Sequence, residues 1–305
     1  MNDYLALAVG IVCAGLGGEL FIKGSVGLAK WLRVSTSVIG VTVVAFATSS
    51  PELSVAISSA ASGTPQIALG DALGSNVLNV ALILGLVLIL GGLRSSRKDV
   101  KRNVSVALLV PVLIGMLSSD GRLSRIDGLI LLAVFLVWVT SVTLEVRRQR
   151  NGMDALPSDE QRRWPVIASS ISGLALLIAA GRLIVMGATG IAVKLGLSSF
   201  VIGAVMVAVG TSVPELATTV MSKIRGHDEV GLNTILGSNI FNGLFIVAVA
   251  AIIRPFNATH RELLPAILIG IVTVVFTIPT ARGNIDRWRG FALLALYISY
   301  VLWVL

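Results

Sequence analysis

The sequence is poor in the charged residues from which soluble domains build their surfaces. Charged residues make up 13% of its 305 residues, whereas soluble domains carry about 25%. Hydrophobic residues make up 55%, which excludes a water-soluble globule and predicts an all-α polytopic membrane protein. A bilayer crossing takes about 20 apolar residues. The chain therefore has room for about ten crossings joined by short loops, and for no separate soluble domain.

Cysteine, histidine and aromatic residues are also scarce. The single cysteine, Cys13, excludes an intramolecular disulfide and a Cys-x-x-Cys metal site. The two histidines, His227 and His260, fall between apolar runs, so neither is predicted to be a buried proton relay. Aromatic residues do not interleave with the basic residues, as they would on a surface that stacks nucleic-acid bases. The net charge of +8 is therefore not interpreted as nucleic-acid binding.

Ten apolar stretches are predicted to be transmembrane helices. The segment 1–22 lacks the basic start of a signal peptide and is predicted to contain the first of them. The longest connection, 147–164, is polar and rich in turn residues, and we expect it to be a cytoplasmic linker between five helices in 1–146 and five in 165–305. The predicted helices are 3–22, 36–61, 66–92, 103–118, 125–146, 165–186, 199–222, 229–253, 262–281 and 288–305.

The positions of the basic residues agree with ten crossings. With this arrangement, 18 of the 24 lysines and arginines fall on one side of the membrane and 6 on the other. Cytoplasmic loops are enriched in basic residues. We therefore expect both termini to lie outside the cytoplasm.

The two halves contain an internal repeat. The segment VIGVTVVAFATSSPEL at 38–53 resembles VIGAVMVAVGTSVPEL at 201–216, at a constant offset of 163. The same offset pairs the GSN sequence at 74–76 with that at 237–239. Chance similarity of apolar sequences does not account for polar residues that coincide without a gap. Because five crossings is an odd number, the second copy is predicted to be inverted, with a substrate site between the copies near the midplane.

A polar interruption lies in the second predicted helix of each repeat, TSSPE at 48–52 and TSVPE at 211–215. Proline lacks the N–H that would bond to the carbonyl four residues earlier, so each interruption is predicted to free one carbonyl, that of Ala47 or Gly210. Glu52 and Glu215 follow about midway along a crossing. An ionised carboxylate at that depth is costly unless it is paired or solvated, which makes both glutamates functional candidates.

The third helix of each repeat adds a serine and an asparagine at i, i+4, which places each pair on one helical face. The pairs are Ser75 with Asn79 and Ser238 with Asn242. All these candidate ligands are oxygens, which suit Ca²⁺ or alkali cations rather than zinc or copper. Asp71 is assigned to a helix end, where its side chain would reach water. Each feature alone has a structural explanation: a hydroxyl bonded to its own helix, a proline kink or a glutamate in an ion pair.

Together the duplicated motifs resemble the calcium/cation antiporter superfamily, specifically its sodium/calcium exchanger branch with short prokaryotic members. The α-repeats of that superfamily correspond to 38–85 and 201–248. The resemblance covers the whole chain and implies ten transmembrane helices in two inverted five-helix repeats. It also implies an integral protein of the prokaryotic cytoplasmic (inner) membrane.

The resemblance assigns roles to individual residues. It implies that Glu52 and Glu215 are the shared Ca²⁺ ligands, helped by the carbonyls of Thr48 and Thr211. It implies Na⁺ positions built from serine hydroxyls, threonine hydroxyls and two alanine carbonyls; the serines and alanines are Ser49, Ser75, Ser212, Ser238, Ala45 and Ala208.

Two sequence features bear on the coupling ion. The T-S-x-P-E motif favours sodium, because the proton/calcium branch tends to carry G-N-x-x-E. Some sodium/calcium exchangers pair an Asn with an Asp in the third helices, but here both residues, Asn79 and Asn242, are amides. The central site thereby loses one carboxylate, which leaves the stoichiometry and the choice of Na⁺ or H⁺ open and argues against potassium co-transport.

The leading hypothesis is a secondary antiporter that exchanges Na⁺ for Ca²⁺ by alternating access. It needs the bilayer, the two transported ions, no cofactor and no obligate protein partner, and it is not an enzyme. A proton/calcium antiporter, with Glu52 and Glu215 accepting protons, remains the main alternative, and a passive cation channel is a further one. An intramembrane hydrolase is disfavoured because no histidine lies near the serine motifs. An ATP-driven pump is disfavoured because no GxxxxGK[ST] motif is present.

Overall fold

The computed structural model describes residues 3–32, 34–61, 63, 65–151, 163–194, 208–258 and 260–304, which are almost entirely helical. Six helices are continuous over four turns or more. They are Asp3–Leu32, Arg97–Leu117, Arg125–Asn151, Arg163–Lys194, His260–Phe276 and Arg287–Val304.

The other helices are interrupted, and they lie at the centre of the protein. We call the segments that begin at the two proline motifs the Glu52 helix (Ser50–Ala61) and the Glu215 helix (Val213–Ile224). The helices that carry Asn79 and Asn242 each contain a π-helical stretch, a feature often found at functional sites. The remaining segments are Thr36–Ile39, π-helix Gly40–Val44 and Ala45–Thr48; Pro65–Val77, π-helix Leu78–Leu84 and Gly85–Gly91; Ala208–Thr211; and Asp228–Ile240, π-helix Phe241–Ile246 and Val247–Ile253.

Within the described residues, four helices are long and apolar enough to cross a membrane, and a fifth is added if Thr36–Thr48 and Ser50–Ala61, which meet at 43°, form one broken span. All five coincide with predicted transmembrane helices. The full count of ten stays a prediction. The four long apolar helices are Ala68–Gly91, Val100–Leu117, Arg125–Glu145 and Asp228–Ile253. Shorter apolar helices occupy Trp164–Ala180 and Leu263–Phe276.

Several predicted boundaries need correction. The first helix runs to Leu32 rather than residue 22, because Lys23 and Lys30 point outward and do not interrupt it. Helices extend into both ends of the predicted linker 147–164, as far as Asn151 and from Arg163, while 152–162 lie outside the described residues. The start of the predicted helix 199–222, through residue 207, also lies outside them.

The first helix packs antiparallel against Arg163–Lys194 at very short distance. A Cβ atom on Gly24 would lie 2.6 Å from the backbone nitrogen of Ser170, and one on Gly17 would lie 3.0 Å from the carbonyl oxygen of Gly173. Small residues allow this approach between membrane helices. Gly17 and Gly24 therefore allow the two helices to pack closely.

Burial separates a core from a lipid-facing surface. The helices that carry Asn79 and Asn242 are mostly buried, with Leu84, Leu88, Ile235 and Leu236 fully enclosed. Arg125–Glu145, by contrast, exposes large apolar side chains such as Val137. Apolar residues that face outward are expected for a protein surrounded by lipid.

Two pairs of short antiparallel strands join the ends of distant helices. Leu93–Arg94 pairs with Asn284–Ile285, and Arg122–Leu123 pairs with Phe256–Asn257. Each pair links a segment of the first half to one of the second.

The close helix contact predicts that Gly24→Ala lowers the thermal stability of the detergent-solubilised protein. The added methyl group overlaps Ser170, and overpacking of this kind costs about 1–3 kcal/mol. Gly270→Ala is the matched control, because a Cβ atom there meets nothing within 4 Å. The measurement is the unfolding midpoint of both variants. A midpoint for Gly24→Ala equal to that of the control would contradict this packing.

Candidate cation site

Glu52 and Glu215 lie at the centre of the protein, and both are fully buried. Each lies in the first turn of its helix, directly after the break made by the proline motif. The N-terminus of a helix carries partial positive charge, which favours a carboxylate there. The two breaks thus hold both glutamates at matching positions.

The two breaks have nearly the same backbone geometry. Ser49 has φ −84° and ψ 12°, and Ser212 has φ −85° and ψ 7°, so both leave the α-helical path. One helical segment therefore ends at Thr48 or Thr211, and the next begins directly after the serine, at Ser50 or Val213.

The two carbonyls that proline was predicted to leave without a hydrogen bond, those of Ala47 and Gly210, have different surroundings. Pro51 provides no N–H for Ala47, but the Ser50 hydroxyl donates to the Ala47 carbonyl instead. The prediction that Ala47 offers a free carbonyl is therefore wrong. In the second break Val213 stands at the position of Ser50 and has no hydroxyl to give to Gly210.

Each break's serine contacts the other break's glutamate. Ser49 Oγ donates to Glu215 Oε1 at 2.9 Å, and Ser212 Oγ donates to Glu52 Oε1 at 3.4 Å. Ser238 Oγ adds a second hydroxyl to Glu215 Oε1 at 3.2 Å. The fold thus brings together five of the predicted site residues from three helices.

The alanine carbonyls lie in the same shell of oxygens. The Ala45 carbonyl accepts from Thr48 Oγ1 at 3.3 Å and lies 3.5 Å from Ser238 Oγ. The Ala208 carbonyl accepts from Thr211 Oγ1 at 3.2 Å. These carbonyls and hydroxyls therefore surround the glutamates with neutral oxygen atoms.

The predicted asparagines are buried beside this group. Asn79 Nδ2 donates to Asn239 Oδ1 at 3.2 Å, while Asn79 Oδ1 has no hydrogen-bond partner in the described structure. The side-chain oxygen and nitrogen of Asn242 also have no hydrogen-bond partner among the described residues. Asn76 and Asn239 donate to each other's carbonyl, both at 3.0 Å. These reciprocal bonds hold the two third helices together at the level of the site.

Asp71 is a site residue that sequence reasoning missed. Its assignment to a solvated helix end is wrong: the residue is 7% exposed, and Asp71 Oδ1 accepts from Thr211 Oγ1 at 3.4 Å. Its spacing from Ser75 and Asn79, at i, i+4 and i+8, places it on the same helical face. This spacing is the sequence feature that could have identified Asp71 as a site residue.

A cluster of aromatic side chains packs around Phe46, which lies in the helical segment that ends at the first break. The Phe46 and Phe241 rings have centroids 4.8 Å apart, which joins the helix of Ala45 to the π-helical stretch of the Asn242 helix. Such pairs contribute about 0.5–1.5 kcal/mol each beyond simple burial. The other members are Phe135, Trp138 and Phe245.

When they are ionised, the three buried carboxylates carry negative charge that no described ion pair balances. One oxygen of each, Glu52 Oε2, Glu215 Oε2 and Asp71 Oδ2, has no hydrogen-bond partner among the described residues. The ion pairs of the described residues lie elsewhere, for example between Lys223 and Asp228. Buried unpaired charge is strongly unfavourable. A bound cation would relieve it.

Oxygen atoms alone make up this donor set. The described residues contain no group of three or more His, Cys, Asp or Glu side chains arranged around one metal ion. Any cation here would rest on the two glutamates together with hydroxyls and carbonyls. Oxygen donors of this type suit hard cations such as Ca²⁺.

Comparisons with known proteins agree with the site chemistry. The family described as sodium/calcium exchanger protein matches residues 3–144 and 166–305. The inner membrane protein YrbG of Escherichia coli is 30% identical, over 98% of this chain and 94% of that protein. The sodium/calcium exchanger MaX1 of Methanosarcina acetivorans is 26% identical, over 98% and 97%. A solved structure of the sodium-calcium exchanger NCX_Mj, soaked with Na⁺ and zero Ca²⁺, has a TM-score of 0.82 and 29% identity, with 98% of both chains covered.

The match extends through both halves of the chain and includes the duplicated proline–glutamate motifs. The resemblance seen in those motifs is therefore confirmed, and the relatives are transporters rather than enzymes. The chain belongs to the sodium/calcium exchanger family and is an integral membrane cation/calcium exchanger.

Proposed function

We propose that this chain is a secondary antiporter that exchanges Na⁺ for Ca²⁺ by alternating access. The observation that carries the proposal is the reciprocal contact between the breaks, Ser49 with Glu215 and Ser212 with Glu52. It places two buried carboxylates of opposite halves in one shell of oxygens. Two carboxylates balance one divalent cation or two monovalent ones, which is the minimum that an antiport site needs.

Glu52 and Glu215 are the proposed Ca²⁺ ligands, with the carbonyls of Thr48 and Thr211. The free second oxygen of each glutamate supports this assignment. So does the end of a helical segment at each threonine, since the last carbonyls of a helix have no partner within it. Ca²⁺ takes six to eight oxygen ligands, with carboxylates and carbonyls common among them.

The proposed Na⁺ positions use neighbouring oxygens. Ser49 and Ser238 both donate to Glu215 Oε1, so an ion bound by those hydroxyls would compete for an oxygen that Ca²⁺ also needs. Competition of this kind couples the two fluxes. The remaining proposed ligands are Ser75, Ser212, Thr48, Thr211, Asn79, Asn242 and the carbonyls of Ala45 and Ala208.

Burial of the site supports a carrier over an open channel. Glu52 and Glu215 are both 0% exposed, so within the described structure neither carboxylate is accessible to solvent. A channel filter would keep such a path in its conducting state. A closed site that opens alternately to the two sides fits exchange.

We also propose that the chain consists of two inverted five-helix repeats, 1–146 and 165–305, joined by the linker 147–164. Contacts related by the offset of 163 support this arrangement. A shift of 163 residues converts the Ser49–Glu215 contact into the Ser212–Glu52 contact. Asn76 and Asn239, which are also 163 residues apart, bond to each other's carbonyl. It also carries strand Leu93–Arg94 onto Phe256–Asn257.

The ten-helix arrangement places both termini outside the cytoplasm, and we propose the cytoplasmic (inner) membrane of a prokaryote as its location. The excess of basic residues on one side supports the orientation. The name of the Escherichia coli relative, an inner membrane protein, supports the location.

Calcium uptake by proteoliposomes tests the exchange. Vesicles loaded with Na⁺ and diluted into Na⁺-free buffer are expected to take up radioactive calcium, and Glu52→Gln or Glu215→Gln is expected to reduce uptake at least about tenfold, because a buried ion loses a charged ligand. Glu145→Gln is the matched control, since this carboxylate pairs with Arg102 away from the site. Its uptake should equal that of the wild type.

The same vesicles separate the alternatives. Uptake driven by a pH gradient without Na⁺ would replace the proposal with proton/calcium exchange. Calcium flux that needs no counter-ion gradient would indicate a channel. Full uptake by both glutamine variants would show that the ions bind elsewhere.

The serine–glutamate contact predicts that Ser49→Ala weakens ion binding. Loss of a hydrogen bond to a charged group costs about 1.5–3 kcal/mol. The half-saturating concentrations of Ca²⁺ and Na⁺ in the uptake assay should therefore rise about tenfold or more. Ser172→Ala removes an exposed hydroxyl that bonds only within its own helix and serves as the control. If the half-saturating concentrations of Ca²⁺ and Na⁺ are unchanged in Ser49→Ala, the Ser49 hydroxyl does not contribute to ion binding.

Cysteine labelling tests the orientation in a Cys13→Ser background. Asp120 and Asp286 are both exposed and lie in loops on opposite predicted sides of the membrane. A membrane-impermeant maleimide applied to intact spheroplasts should label Asp120→Cys and leave Asp286→Cys unlabelled until the membrane is permeabilised. The reverse pattern would show that the basic loops face outward and that the proposed orientation is inverted.

A further inference from the structure

Asp71 is a buried carboxylate that the two-glutamate centre does not use. Asp71 Oδ1 accepts one long hydrogen bond, at 3.4 Å, from Thr211 Oγ1. Asp71 Oδ2 is enclosed and has no hydrogen-bond partner in the part of the chain that the structure describes. The residue is 93% buried and carries a charge that one hydroxyl does not compensate.

Two further features put oxygen atoms near this carboxylate. Ser75 lies one helical turn beyond Asp71 on the same helical face, and its fully buried hydroxyl has no hydrogen-bond partner among the described residues. Thr211 directly precedes Ser212, whose hydroxyl contacts Glu52. Asp71 therefore lies at the edge of the glutamate centre, beside two of the hydroxyls proposed as Na⁺ ligands.

Charge and geometry indicate a separate position rather than a third ligand for the same ion. Ca²⁺ balances Glu52 and Glu215, which leaves the charge of Asp71. No described ion pair involves Asp71, and no three acidic side chains of the described residues are arranged around one metal ion. One carboxylate with two hydroxyls matches a monovalent hard cation in charge and in donor type.

We infer that Asp71, Thr211 Oγ1 and Ser75 Oγ form a sodium sub-site beside the glutamate centre. This inference rests on the proposed Na⁺/Ca²⁺ exchange. The sub-site adds one Na⁺ to the ions that the protein binds in each cycle. It supplies a third carboxylate to a site in which both Asn79 and Asn242 are neutral.

The Na⁺ dependence of calcium efflux from proteoliposomes tests the sub-site. In Asp71→Asn, the Hill coefficient for Na⁺ should fall by about one, and the half-saturating Na⁺ concentration should rise about tenfold. The half-saturating Ca²⁺ concentration should change by less than about twofold, since the glutamates remain. Thr234→Val is the control: Thr234 corresponds to Asp71 at the offset of 163, and its hydroxyl bonds to its own helix.

A second measurement does not depend on transport. Na⁺ should raise the unfolding midpoint of detergent-solubilised wild type and Thr234→Val more than that of Asp71→Asn, whereas Ca²⁺ should stabilise all three similarly. This comparison keeps the test decisive if Asp71→Asn transports poorly.

Three results would overturn the sub-site. The first is a wild-type Hill coefficient and Na⁺ half-saturation in Asp71→Asn. The second is an equal loss of Na⁺ and Ca²⁺ stabilisation, which indicates a purely structural carboxylate. The third is a change in pH dependence with Na⁺ dependence intact, which indicates a proton position. Failure of the proposed exchange itself is distinct, because wild-type efflux would then not depend on Na⁺ at all.

Discussion

The structure depends on one electrostatic constraint: two carboxylates are enclosed at the centre of an apolar helical protein, and none of the described ion pairs involves them. Such an arrangement is unfavourable when the carboxylates are ionised and no cation is bound. The surrounding features all reduce that cost. Helix N-termini point at Glu52 and Glu215, and serine hydroxyls from the opposite half donate to them. A bound cation would therefore stabilise a protein built in this way.

The broken helices make this arrangement possible in a membrane. An unbroken helix satisfies its own backbone groups and offers no carbonyl to an ion. Proline at 51 and 214 removes one donor from each helix, and the backbone turns at Ser49 and Ser212 before it resumes. The π-helical stretches beside Asn79 and Asn242 continue this irregularity into the neighbouring helices. The aromatic cluster around Phe46 and the reciprocal Asn76–Asn239 bonds hold these irregular segments in place.

Much of the site was predictable because its signals are local and repeated. The motifs that end in Glu52 and Glu215 occur twice at one offset, and the serine–asparagine spacing defines a helical face. Asp71 was missed because a single aspartate near a predicted helix end has an ordinary explanation. Its enclosure depends on Thr211, which is 140 residues away in sequence. The Ala47 carbonyl was wrongly expected to be free because the rule for proline considers only backbone donors, whereas the Ser50 side chain supplies the bond.

The sequence by itself determined the class of protein and the family, since hydropathy and the duplicated polar motifs depend only on the order of residues. It also determined the type of ligand, oxygen, because no cysteine or histidine lies near the motifs. Only the tertiary structure decided which hydroxyl meets which carboxylate, that Asp71 joins the site, and that the first helix packs through Gly24 against Ser170. These features arise from contacts between helices that are distant in sequence. Their distances are set by how the helices pack, and no local pattern encodes that packing.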